Sequence, residues 1–276
     1  MIRIIKLNAK RALGLSWSKA VSQVLILSGI SLLFILIGIL TFGMFSFDLL
    51  FGNAVMPSPS SFAALGVIAA IFFIVISPLV FGIKEWYYAI SLNGKGEDIS
   101  FCFFPFSQFK IAMQCIKLSL ILAVKKILIY ASFSIIPLVM RHYSCSFLQD
   151  AQTIEERFLA FNSVICSTLL LILALSFSFI YCLRYFALPY AFMENRYSSI
   201  KDAFKVSKMA SEGYKGALLL FKLSMLIHYL LCLCPVTALY SYPYLQSAKA
   251  IYARFLIENL KRGQEESNIP KEAEKI

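Results

Sequence analysis

Six apolar stretches punctuate this chain, near residues 22–45, 62–83, 118–140, 161–186, 216–235 and 236–256. Each approaches the roughly 20 residues that a helix needs to cross the hydrocarbon layer of a bilayer. With 276 residues, 59% of them hydrophobic and only 15% charged, the chain cannot hide those stretches in a soluble core. The sequence therefore predicts an all-α, polytopic membrane protein. The last stretch is the most polar, because Tyr240, Ser241, Tyr242, Tyr244, Gln246, Ser247 and Lys249 interrupt it. The first follows Arg3, Lys6, Lys10, Arg11 and Lys19 and has the flavour of a signal sequence. It is too long for a cleaved one, and its exit at 41–48 lacks the small residues of a cleavage site, so it reads as a retained signal anchor.

Lys and Arg decide the expected orientation, since short cytoplasmic loops collect positive charge and translocated loops do not. Segment 46–61 has neither residue, 141–160 has Arg141 and Arg157 offset by Asp150, Glu155 and Glu156, and the turn near Pro235 has none. The alternate gaps are rich in both. Lys84, Lys95 and Lys110 occupy 84–110, Arg184, Arg196, Lys201, Lys205, Lys208 and Lys215 occupy 184–215, and a further group begins at Lys249. Both termini are expected in the cytoplasm of a cell bounded by this membrane. The net charge of +11 follows that rule without forming a compact basic domain, so no nucleic-acid partner is expected. Anionic phospholipid headgroups are the expected partner, at about 1 kcal/mol per basic residue near the surface.

The 7 cysteines give no disulfide framework. Cys232 and Cys234 lack the spacing of a metal knuckle and read as soft apolar filler. No cofactor is expected.

Between the spans, residues 1–20 alternate basic and apolar positions as an interfacial helix would. Asn93 opens a turn sequence that runs into Phe101, Phe103, Phe104, Phe106 and Phe109, rings suited to headgroup level. Ile200, Ala203, Phe204, Val206 and Met209, interleaved with Lys201, Lys205 and Lys208, predict a basic amphipathic helix on the cytoplasmic surface. The segment 261–276 has too little apolar surface to fold and is expected to be a disordered tail.

The chain also resembles itself. Phe109-Lys110 with Ala112, then Lys117-Leu118-Ser119, corresponds to Tyr214-Lys215 with Ala217, then Lys222-Leu223-Ser224, at one shared offset. Trp17-Ser18-Lys19-Ala20 is a fainter third copy. The exits of the even spans, Gly82 to Trp86, Tyr185 to Pro189 and Ala248 to Tyr252, also share aromatic and small residues. Six transmembrane helices as three like-oriented hairpins, with amphipathic helices on the cytoplasmic side, follow from this pattern.

Candidate chemistry rests on cations. Lys117, Lys125, Lys126 and Lys222 fall within apolar runs with no accompanying carboxylate. Ser107, Lys110, Gln114, Lys117, Ile121 and Lys125 share one helical face. Two readings stand. Such lysines snorkel to the interface, or they face an anionic headgroup or phosphate-bearing solute inside the bundle. Lys110, Lys117, Lys125, Lys126, Lys215 and Lys222 are the candidate lipid or anion contacts. Absent carboxylates argue against an ion-coupled carrier. Ser224 and His228 stand one helical turn apart, a spacing at which serine ordinarily bonds its own backbone, and no third group orients the ring. No catalytic motif occurs, and enzymatic activity is not expected.

The residues carry a family resemblance. Arg11-Ala12 with Ser16-Trp17-Ser18-Lys19-Ala20, Gly82 with Trp86, and Lys95-Gly96-Glu97 are similar to signatures of the bacterial integral membrane proteins grouped as domain of unknown function 975. In the carboxyl half, Ala203, Ser207-Lys208-Met209, Gly213-Tyr214-Lys215, Leu223-Ser224, Pro243-Tyr244 and Tyr252 stand in the order of that family. Ile227-His228-Tyr229 departs from its pattern. The resemblance spans about residues 8–258 and implies a multi-pass bacterial plasma-membrane protein of about six helices, with no known activity. The expected role is that of a membrane-embedded scaffold or assembly factor engaging anionic lipid or partner membrane proteins. The alternative is a permease or exporter component for an amphipathic or anionic solute.

Overall fold

In the computed structural model, which describes residues 1–14, 16–50, 59–93, 98–150, 152–194 and 199–268, helices α1 (Ile2–Gly14), α2 (Trp17–Leu50) and α3 (Pro59–Asn93) come first. A 3-10 turn at Ile99–Phe103 and the short α4 (Phe104–Ser107) lead into α5 (Phe109–Asp150) and α6 (Ile154–Cys182). Then follow α7 (Leu188–Glu194), α8 (Ile200–Ser211), α9 (Lys215–Ser224), α10 (Leu226–Leu231) and α11 (Pro235–Asn268). No strand occurs among the described residues. Among the described residues, four stretches are long and apolar enough to cross a membrane: Trp17–Leu40, Ala63–Leu92, Phe109–Asp150 and Ile154–Glu194. At about 1.5 Å rise per residue, α5 is roughly twice the length that the hydrocarbon layer requires, so its ends reach beyond it.

Burial explains how these helices assemble. The far halves of α2, α3, α5 and α6 leave Leu32, Ile35, Ile71, Ile135 and Ile172 about half exposed or more, the apolar surface that lipid would cover. The core lies instead at the opposite ends. There Leu13, Ala20, Ile83, Trp86, Tyr87, Tyr190, Ala250 and Ala253 pack into one cluster. Gly82 permits this, because a Cβ at that position would stand 1.9 Å from the Cys102 carbonyl oxygen. The three aromatic and small-residue exits read from the sequence each contribute to that cluster, through Trp86, Ala187 and Ala250, all fully buried.

The first helix buries Ile5, Ala9 and Leu13 and packs Ile5 and Ala9 among Leu245, Ala248, Tyr252 and Leu256 of α11. The stretch 216–235 is two short helices broken at Met225. The break coincides with a long-range contact: Lys6 Nζ donates to the Ser224 carbonyl at 2.9 Å, and the His228 N–H, which that carbonyl would accept in a continuous helix, goes to Met225 O at 3.0 Å. The stretch 236–256 lies in α11, a central helix that touches α1, α2, α3, α7, α8 and α10. Its polar residues Ser241, Gln246 and Ser247 are buried by protein. This helix continues to Asn268, so residues 261–268 are helical where a disordered tail is expected. Lys261 donates to Glu194 Oε1 at 2.5 Å and ties that extension to α7. Residues 269–276, and the Lys95-Gly96-Glu97 signature, lie outside the described residues.

Helix α8 buries Ala203, Ser207, Ala210 and Ser211, with the Ser207 hydroxyl donating to Arg184 O at 2.9 Å. Its covered face is thus small and polar, docked on protein, while Lys201, Lys205 and Lys208 point outward. The two copies of the sequence repeat both sit at a helix start, Phe109 opening α5 and Tyr214 preceding α9 as its N-cap. Their burial differs, with Leu118 fully buried and Leu223 exposed.

Candidate functional site: four lysines from four helices

The cations predicted to matter separate into two groups. Lys110, Lys117 and Lys215 are exposed on α5 and α9. Lys125 places its ammonium 3.8 Å from the centre of the Phe204 ring of α8, a cation–π contact of about 0.5–2 kcal/mol. The remaining two, Lys126 and Lys222, turn toward cations that sequence reading had assigned to loops.

Lys84 of α3 and Lys126 of α5 both line a cleft of about 330 Å³ between those helices. Leu188 and Pro189 of α7 close one side of it, and Ser77, Val80, Phe81 and Leu122 continue its wall. The field of Lys84 meets those of Lys126 and Lys249, that of Lys249 meets Lys222, and that of Lys222 meets Lys126. A closed circuit of four ammonium groups results, one each from α3, α5, α9 and α11. Among the described residues, no carboxylate acts on any of the three half-buried members. Aromatic faces compensate in part. Lys84 stands 5.4 Å from the Phe81 ring centre, Lys222 4.7 Å from Phe179 and Lys249 4.9 Å from Tyr229.

Like charges held in partly desolvated surroundings repel: at an effective dielectric of 20, two unit charges 8 Å apart cost about 2 kcal/mol. Ring faces offset part of this, and an anion would offset the rest.

The sequence missed Lys84 and Lys249 because each was taken as the mark of a span's end. A signal was present. Trp86, Tyr87, Tyr88 and Ile90 carry the apolar helical pattern beyond Lys84, and α3 indeed runs to Asn93. Lys249 is flanked by Ala248 and Ala250, small residues suited to close helix packing, and both are fully buried.

Ser224 and His228 do not form a nucleophile and base. The Ser224 hydroxyl donates to Phe221 O at 2.7 Å, and the His228 ring packs on Tyr244 at 4.7 Å between centroids. A second cleft, of about 430 Å³, opens between α1, α3 and α11. Its Arg254 guanidinium donates to Glu258 at 2.6 Å and to the Ser91 carbonyl, so that charge is already answered.

Neither a curated protein nor a solved structure matches this chain. One family model does, described as Protein of unknown function (DUF975), and it covers residues 3–259, taking in α2 to α10, the circuit of lysines and most of α11. Gly82, Trp86, Ser207 and Tyr252, among the residues in which the sequence resembles that family, are buried at the packed end, and the chain belongs to the DUF975 family.

Proposed function

We propose that this protein crosses a bacterial plasma membrane six times as three like-oriented hairpins, α2 with α3, α5 with α6, and α9–α10 with α11, both termini being cytoplasmic. Its role is non-catalytic: a scaffold or assembly factor that holds anionic phospholipid headgroups at the cytoplasmic boundary and presents its packed end to partner membrane proteins. The observation that carries this reading is the cleft lined by both Lys84 and Lys126, beside Lys222 and Lys249, with Lys84, Lys222 and Lys249 set over aromatic rings and, among the described residues, in no ion pair with a carboxylate. A protein that kept four cations together merely for packing would be expected to pair them. The exposed Phe103, Phe106 and Phe109 beside the start of α5 supply rings suited to the same headgroup layer.

The test is thermal unfolding of the purified protein in nanodiscs of phosphatidylcholine alone and of phosphatidylcholine with phosphatidylglycerol. A ligand that binds only the folded state at 100 times its Kd stabilises by about 2.7 kcal/mol, so Tm should rise by on the order of 5 °C with the anionic lipid. Equal Tm in the two bilayers would sink the reading.

One feature favours the permease reading as a second: the helix break at Met225 adjoins Lys222, and discontinuous helices commonly build solute sites in transporters. Replacing Lys125 and Lys126 by Leu should abolish solute flux in that case and leave a scaffold's assembly largely intact.

A further inference from the structure

The cleft that Lys84 and Lys126 line together carries information about which anion it takes. From the joining of charge and apolar slot, we infer that the cleft between α3 and α5 binds one lipid whose headgroup ends in a phosphate monoester or a diphosphate, with an acyl or isoprenyl chain lying against Ile76, Val80, Phe81 and Leu122. This rests on the reading of the protein as a receptor for anionic lipid and makes it specific.

The slot sets the first requirement. Lys84 and Lys126 stand in the same cleft as those apolar side chains, so an occupant must be charged at one place and hydrocarbon at the next. A volume of about 330 Å³ lies at the lower end of those used by small-molecule sites. It holds a headgroup and the first part of a chain. The rest has somewhere to go, because Ile74 and Ile127, neighbours in sequence of cleft residues Phe73 and Lys126, are exposed on the apolar outer face. Soluble anions would leave that wall uncovered.

Charge sets the second requirement. A phosphodiester headgroup brings one negative charge, which would leave one of the two cleft lysines, Lys84 or Lys126, unanswered. A phosphate monoester carries about −1.5 to −2 near neutral pH and three strong acceptor oxygens, and a diphosphate ester carries more. Lysine suits this task as a flexible point charge, with no fixed geometry for the headgroup to match. Ser77 and Ser119, also on the cleft wall, add hydroxyl donors where neutral ester or phosphate oxygens would sit.

Competitive lipid binding to the full-length protein, stripped of lipid in detergent and read by native mass spectrometry at about pH 7.5, tests this. Dioleoyl phosphatidic acid should bind at least tenfold more tightly than dioleoyl phosphatidylglycerol, which shares its chains, and both more tightly than the phosphatidylcholine analogue. The double variant Lys84→Gln with Lys126→Gln should erase the difference between the two anionic lipids. Val80→Trp, which fills the slot and leaves every lysine in place, should weaken phosphatidic acid tenfold, and Arg141→Gln, at the far end of α5, should change nothing. Binding of the wild-type protein stands by itself as the decisive measurement if either cleft variant fails to fold. Equal affinity for the two anionic lipids would overturn the monoester assignment while leaving the scaffold reading in place. Competition by glycerol 3-phosphate as effective as that by phosphatidic acid would show a headgroup site alone and overturn the chain slot. No preference for either anionic lipid over phosphatidylcholine would overturn this inference and the proposed function together.

Discussion

Gly82 shows how one missing side chain sets the position of a loop. Its Cβ place is filled by the Cys102 carbonyl, so Gly82→Ala must push the 3-10 turn off α3 or bend α3 itself. Overpacking of this kind costs about 1–3 kcal/mol, and a fall in Tm of roughly 3–10 °C is expected by differential scanning fluorimetry in detergent. Gly213, at φ +81° after α8, is the other position where a side chain would strain the backbone. Cys102 records the same close contact chemically. Burial, with a smaller contribution from the charge of Glu85, raises its thiol from 9.0 to about 12. The folded protein therefore holds a proton that the unfolded chain gives up near pH 9, and the stability gained is complete below that pH and lost as the pH climbs toward 12. At pH 8 a water-soluble maleimide should modify Cys102 about a thousandfold more slowly than an exposed thiol, and quickly after denaturation. Fast labelling of the folded protein would contradict the packing described for the 3-10 turn.

At the scale of elements, α1 and the broken pair α9–α10 meet through Lys6. A break that coincides with a contact from a residue 218 positions away has no local signature, which is why the apolar run 216–235 reads as one uninterrupted span. The opposite holds for α3, whose continuation past Lys84 was written in Trp86, Tyr87, Tyr88 and Ile90; only the convention that a cation ends a span concealed it. Burial of a charged side chain among protein neighbours is invisible to hydropathy, because the same lysine is costly beside lipid and tolerable beside Phe81 or Tyr229. The spans α2, α3, α5 and α6 were legible because each holds a stretch long and apolar enough to cross a membrane by composition alone. Docking of α1 can be tested without touching any cation. Ala9 is fully buried against α11, so Ala9→Leu should overfill that contact by about 1–3 kcal/mol. Hydrogen exchange should then show lost protection across Ile2–Gly14. Leu7→Gln, on the exposed side of the same helix, should leave the protection as it was. Equal protection in all three proteins would mean that α1 is not held by this face.

For the whole molecule, the question is how many times the chain crosses. The described structure has four stretches long and apolar enough by themselves, and the proposed third hairpin differs from them in kind. Residues 215–231 span only about 25 Å at helical rise, and α11 carries a polar load that other helices cover. An outer helix must be apolar enough for lipid, whereas a central helix need only match its neighbours, so polarity does not exclude α11 from the membrane. The two native cysteines at the expected outer turns decide the matter. Cys145 lies near the end of α5 and is half-exposed, and Cys234 lies exposed in the turn between α10 and α11. In intact cells or right-side-out vesicles, single-cysteine versions at both positions should react with a membrane-impermeant maleimide added outside if the chain crosses six times. Ser107→Cys, exposed at the end of α4, should react only after the membrane is opened; Cys102 cannot serve as that control because it is buried. Labelling of Cys145 from outside but of Cys234 only from inside would leave four crossings, with α9 to α11 gathered on the cytoplasmic face. The lysine circuit would then sit where that assembly meets the α3–α5 pair, rather than within a six-helix bundle.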